Sequence, residues 1–212
     1  MSDEPFPSGF FARVDETPDD LFYGVPRLVT HIDDATIAAL CAAYRDLLPA
    51  DGAVLDLMSS WISHLPEDRR YARVAGLGMN EAELRANPRL DEFAVHDLNR
   101  DPELPWPDES FDAIVNAVSI QYLVRPVEVF ASMRRVLRPG GLAIVATSHR
   151  LFPTKAIRAW QVLPPDERMR LIAQYFERAQ GFEAAFLLDR SPDGADPLWL
   201  VCAQRAEPGS IG

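Results

Sequence analysis

Four short stretches place acids, amides and hydroxyls where apolar runs break off: Asp56 with Met58-Ser59-Ser60-Trp61, Asn80 just after Gly78, Asp97-Leu98, and Asn116 followed by Gln121-Tyr122. Carboxylates at such points accept hydrogen bonds from ligand hydroxyls and amines. Serine hydroxyls, with backbone amides at a helix N-terminus, can hold an anion. A fifth group, Tyr23, Arg27 and His31, lies in a stretch with few regular-structure signals. Arginine pairs carboxylates, a tyrosine face attracts a cation, and histidine takes a proton near neutral pH. His64 and His149 are further proton acceptors at the same rim. Each residue also has a plain alternative: Asp97 as a turn residue, Asn80 as a helix cap, Tyr122 and Tyr23 as packed rings, Arg27 as a surface cation.

These residues need elements to bring them together. Ala53-Val54-Leu55-Asp56-Leu57 reads as a buried strand, as do runs near 72 to 78, 93 to 96, 111 to 118 and 142 to 147. Between them lie helical signals. Asp33 or Asp34 starts a helix whose Ile37, Leu40, Cys41, Tyr44 and Leu48 share one face. A serine caps one or two helical turns before Pro66. Asn80 with Glu83 forms a capping box. Pro126 opens a helix that Gly140-Gly141 closes, with Arg134, Arg135 and Arg138 at its negative end. Further helices fall near 154 to 162 and 165 to 180, and two last strands, 182 to 188 and 198 to 204, flank a turn. Strands alternating with helices argue for a mostly parallel α/β sheet with helices on both faces. The last two strands, with no helix between them, pair as an antiparallel hairpin. In such a sheet ligands bind beyond the carboxyl ends of the strands, where the four stretches converge.

Composition narrows the function classes. A 212-residue chain with 48% apolar and 25% charged residues fits one soluble domain. A formal charge of −11 disfavours a phosphate backbone, so no nucleic-acid partner is expected. Cys41 and Cys202 read as core residues, with no metal-ligand spacing. No apolar run reaches about 20 residues, so no membrane span is expected. The acidic start, Met1-Ser2-Asp3-Glu4, is unlike a signal peptide, which points to a cytoplasmic protein.

The order Asp97-Leu98-Asn99, then Leu104-Pro105-Trp106-Pro107-Asp108-Glu109-Ser110-Phe111-Asp112-Ala113, then Val136-Leu137-Arg138-Pro139-Gly140-Gly141 resembles class I S-adenosylmethionine (SAM)-dependent methyltransferases of the type 11 kind. The resemblance covers roughly residues 50 to 204. It implies a Rossmann-like sheet of seven strands in the order 3-2-1-4-5-7-6, SAM as cofactor, and a small-molecule acceptor. Asp97 then faces the adenine amine and the Leu98 amide the ring. Asn116, Gln121 and Tyr122 flank cofactor and substrate. The segment of residues 1 to 32 is a lid over a domain of residues 33 to 206, with 207 to 212 as a tail. In the lid Arg27 pairs a carboxylate, Tyr23 lies near the sulfonium and His31 takes a proton.

Two positions depart from the pattern. The family's glycine loop is Met58-Ser59-Ser60-Trp61 here, with Asp56 keeping the acidic place, and Trp61 is expected to fill volume that the methionine tail of SAM needs. The acid that binds the ribose is replaced by Gly78, with Asn80 nearby. A rebuilt loop that still holds SAM is one reading. A methyltransferase-fold binding protein without catalysis is the other. A nicotinamide oxidoreductase fits poorly, since no G-x-G-x-x-G follows the first strand.

Overall fold

A computed structural model describes residues 6 to 209. The acidic residues at 1 to 4 and the last three residues of the tail lie outside that range. Seven strands form one sheet: β1 Ala53–Leu57, β2 Arg73–Gly78, β3 Glu92–Val95, β4 Phe111–Ala117, β5 Leu137–Thr147, β6 Phe186–Asp189 and β7 Trp199–Gln204. Their order is β3-β2-β1-β4-β5-β7-β6, as expected. The first five pair in parallel, and β7 runs antiparallel to both β5 and β6.

Alternation along the central strands builds two cores, because successive side chains leave a strand on opposite faces. Leu55, Leu57, Ile114, Ala143 and Val145 meet α4 (Pro126–Val136), α5 (Arg158–Val162) and α6 (Pro165–Ala179) through Phe130, Met133, Trp160 and Phe176. Val54, Ala113, Val115 and Ile144 meet Leu40 and Tyr44 of α2 (Asp34–Leu47) on the other face. Asp33 caps α2, its carboxylate accepting from the Thr36 amide at 2.9 Å.

The structure departs from the sequence reading in three places. No helix forms between β1 and β2. Met58 (φ 58°) and His64 (φ 54°) take left-handed backbone conformations, and the Ser59 hydroxyl bonds Asp56 at 2.5 Å instead of capping a turn. The fourth helix ends at Val136, not at the glycine pair. Leu137 enters β5 directly, Gly140 (φ 73°) serves an irregularity in that strand, and Arg138 pairs Asp112 at 2.6 Å. Strand β6 begins at Phe186, after a single bridge between Phe182 and Arg205.

The N-terminal arm contains a short helix, α1 (Asp19–Tyr23), and is tied to the core by charge and by backbone. Arg13 Nη1 donates to both Asp19 oxygens at 2.8 Å, and Asn99 Nδ2 donates to Asp19 Oδ2 at 2.8 Å. Lys155, fully buried, lies 3.1 Å from Asp19 Oδ1 and 3.3 Å from Asp15 Oδ2, and donates to the Thr17 carbonyl at 2.7 Å. The amides of Arg158 and Ala159 donate to the carbonyls of Ala12 and Phe10. Phe6 and Phe11 pack against Tyr175. The arm is thus part of the core as well as a cover.

Candidate functional site

A cavity of about 330 Å³ opens at the carboxyl ends of β1, β2, β3 and β4 and is roofed by the arm, a volume in the range of small-ligand sites. Its floor at β1 is Asp56, only 3% exposed, with no cation within ion-pair distance among the described residues. Burial pushes the Asp56 carboxyl up to about 7, against hydrogen bonds from Ser59 and Ser63 that pull it down. The loop that follows lies on the end of β2. The Ser59 amide donates to the Leu77 carbonyl at 2.6 Å, and the Ser59 carbonyl covers Gly78 so closely that a Cβ there would collide with it. Gly78 is therefore a close-approach glycine, and the loop occupies the place of an acidic side chain.

Asn80 caps α3 (Glu81–Ala86), accepting from the Glu83 amide at 3.1 Å, while its Nδ2 donates to the carbonyls of Tyr23 and Gly24. Glu83 does not close a capping box. Its carboxylate instead accepts from the Arg27 amide and the Ser60 hydroxyl, both at 2.6 Å. At the end of β3, Asp97 Oδ1 accepts from the amides of Asn99 and Arg100, whereas Oδ2 and the Leu98 amide have no protein partner among the described residues. Asp97 thus makes the turn and keeps one free oxygen.

Aromatic rings form the roof. Tyr23 meets Tyr122 edge-on at 6.4 Å, Tyr122 stacks on Phe152 at 5.7 Å, and His31 sits edge-on to Phe152 at 5.3 Å. Burial raises both phenols above their ordinary value, so both stay protonated near neutral pH. The Tyr122 hydroxyl accepts from the Phe152 amide at 2.9 Å, and the Tyr23 hydroxyl is buried without a partner among the described residues. His31 is lowered by desolvation, with Glu83 opposing and Arg27 reinforcing. His64, also on the wall, is pushed down to about 4 by burial and then by His31, and its Nδ1 is buried without a partner among the described residues.

Tyr23, Arg27, His31, Asp56, Met58, Ser59, Ser60, Asn80, Asp97, Leu98 and Tyr122 all line this cavity. Trp61, Asn116, Gln121 and His149 do not. Trp61 does not fill the ligand space; it turns outward and its Nε1 donates to the Val29 carbonyl at 3.0 Å, stapling the arm. Asn116 is buried between β1 and Ser119, donating to the Leu57 carbonyl at 2.9 Å. Gln121 is buried and donates to the Val118 carbonyl at 2.9 Å. His149 is exposed and lies 3.4 Å from Asp196. Asp19, Glu83, Asn99 and Phe152 were missed. Only Glu83 had a signal, its spacing from Asn80, and that spacing names a cap, not a cross-link.

Residues 52–145 match a methyltransferase domain family. In solved structures the same fold recurs in an S-adenosylmethionine-dependent methyltransferase from Mesorhizobium loti, with TM-score 0.55, 20% identity, and 79% of this chain covering 98% of that one. The chain thus has the class I methyltransferase fold, and residues 52–145 within it match a methyltransferase domain. Among curated relatives, a fatty-acid O-methyltransferase of Mycolicibacterium smegmatis is 29% identical over 154 residues, 73% of this chain and 47% of its own length. The chain spans less than half the length of the curated relatives it matches. The fold also matches the (4+2)-cyclase SpnF, with TM-score 0.62, 16% identity, and 87% of this chain covering 90% of that one.

For this methyltransferase-fold chain, the contact at Gly78 gives a direct test of the rebuilt loop. Gly78→Ala must move the Ser59 backbone, and such overpacking costs about 1–3 kcal/mol. A urea midpoint unchanged from wild type would show that the loop yields freely.

Proposed function

We propose that this chain binds SAM in the cavity and transfers its methyl group to a small-molecule acceptor. The observation that carries the reading is the end of β3, where Asp97 Oδ2 and the Leu98 amide are left without protein partners beside a roofed cavity. They fit an adenine edge, one accepting from its amine and the other donating to its ring. Asp56, Met58, Ser59, Ser60 and Asn80 fit the polar remainder in place of a glycine cradle. Arg27 donates Nη2 to the Phe22 carbonyl at 2.8 Å and stacks on the Phe22 ring, so it borders the site as a fixed cation. When bound, SAM supplies an activated methyl group on a sulfonium, so alignment is the main task left to the protein. Tyr23 and Tyr122 offer aromatic faces to a cation. Neutral His31 accepts the acceptor's proton. Trp61, Asn116 and Gln121 hold walls, and His149 has no part. The protein acts in the cytoplasm; among the described residues no helix is long and apolar enough to cross a membrane.

A second reading, a binding protein without catalysis, is favoured by the Ser59 carbonyl lying on Gly78. Calorimetry separates the two. SAM at 100 times its dissociation constant adds roughly 2.7 kcal/mol, a rise of several degrees in melting temperature at about 2–4 °C per kcal/mol. Asp97→Ala should weaken SAM by about 1.5–3 kcal/mol, the value of a hydrogen bond to a charged group. No thermal shift with millimolar SAM or S-adenosylhomocysteine would select the second reading. Unchanged affinity in a folded Asp97→Ala protein would remove Asp97 from the site.

A further inference from the structure

We infer that the acceptor carries an apolar tail, which leaves the cavity over the outer face of residues 21 to 29. The inference rests on reading the cavity as the acceptor site. This segment packs on the core through Phe22 against Phe152 and Tyr23 against Tyr122, and hydrogen bonds hold its backbone. Asn80 holds the carbonyls of Tyr23 and Gly24, Glu83 holds the Arg27 amide, and Trp61 holds the Val29 carbonyl. These pins fix which side chains face out.

What faces out is apolar. Leu21, Val25, Leu28 and Val29 are 72%, 67%, 58% and 55% exposed, four of the nine large apolar side chains exposed among the described residues. Single exposed apolar residues are ordinary, but a cluster marks a contact surface. The segment's one cation, Arg27, is withdrawn onto the Phe22 carbonyl and ring. Val29 belongs both to this face and to the cavity wall, and Ile32 and Ile62 continue the apolar lining inward. Val29 thus joins the exposed apolar side chains to the apolar part of the cavity wall.

Cavity size chooses the occupant. A space of about 330 Å³ is filled largely by one nucleoside-sized ligand. An acceptor sharing it must project through the mouth, and the surface it meets there is this apolar face. A membrane is a poorer occupant, because a chain of formal charge −11 is repelled by anionic lipid.

The test is calorimetric titration with hexanol, octanol and decanol of the wild type and of a Leu21→Ser, Val25→Ser, Leu28→Ser variant. Full burial of a methylene is worth about fourfold in affinity, so contact on an open face should give about twofold per methylene. Wild-type affinity should rise with length, and the variant should bind hexanol normally but lose the gain from octanol and decanol. Equal length dependence in both proteins, or no rise in the wild type, overturns the inference. A wild-type dimer that the variant breaks, seen by light scattering, also overturns it, since a second copy would then cover the face. If the triple variant melts early, Val25→Ser alone should show a smaller loss of the same kind. SAM titration is read separately: its failure would sink the cofactor reading and leave the alkanol series standing.

Discussion

An Asp19→Ala variant is expected to lose about 3–5 kcal/mol of stability, the cost of removing one partner from a buried charge cluster. Asp19 is 3% exposed and is shared by Arg13, Lys155 and Asn99. Without it, the fully buried Lys155 keeps the partly exposed Asp15 carboxylate, two carbonyls and the face of the Phe22 ring. Burial alone would raise the Asp19 pKa, but hydrogen bonds from Arg13, Asn99 and Lys155 outweigh it and hold the carboxyl below its ordinary range. A carboxylate depressed in the native state stabilises above its unfolded pKa, and that contribution is lost as pH falls through the folded value. The variant's deficit should therefore be full near neutral pH and shrink in strong acid. Deleting residues 1 to 30 removes Asp15, Asp19 and Arg13 together, along with the aromatic packing on Tyr175, and should exceed the stability margin of about 5–15 kcal/mol. A truncated protein that melts cooperatively near wild type would show the arm to be a separable lid after all.

The contrast between that cluster and the sheet shows what this sequence makes legible. The strands announce themselves because β1, β4 and the second half of β5 are largely buried on both faces and so read as mostly apolar runs. Their order comes from resemblance, which carries the residues from Asp97 to Gly141 with it. The pairing of Asp19 with Lys155 has no local signal: the partners are far apart in sequence, and only the fold joins them. The loop after β1 is illegible for a related reason. Met58 and His64 adopt conformations that glycine usually takes, and the loop's path is set by Ser59 bonding Leu77 and Asp56. The orientation of Trp61 likewise depends on a carbonyl of the arm. Site residues at strand ends were found because topology dictates the edge; those supplied by loop-to-arm contacts were not.

Asp56→Asn should change how stability depends on pH, by an amount large enough to see in a denaturant midpoint. The buried carboxyl sits at about 7 against an ordinary 3.8. It keeps its proton in the native protein after the unfolded chain has lost it. The unfolded state then binds fewer protons, so stability falls as pH rises from about 4 to about 7 and levels off above. That difference corresponds to a loss on the order of 4 kcal/mol across the window. Asparagine has nearly the same shape, can still accept from Ser59 and Ser63, and does not ionise, so the variant should lack the slope and be the more stable protein at about pH 8. Urea midpoints at about pH 5 and about pH 8 measure it. On the proposal that SAM occupies the cavity, the same carboxyl is linked to ligand binding. A cation brought beside Asp56 favours its ionised form, so binding SAM at about pH 6 should release a proton, detectable by calorimetry in buffers of different ionisation enthalpy. S-adenosylhomocysteine, lacking the sulfonium, should release less. A pH slope that survives in Asp56→Asn would assign it to another group, and equal proton release by the two ligands would place the sulfonium away from Asp56.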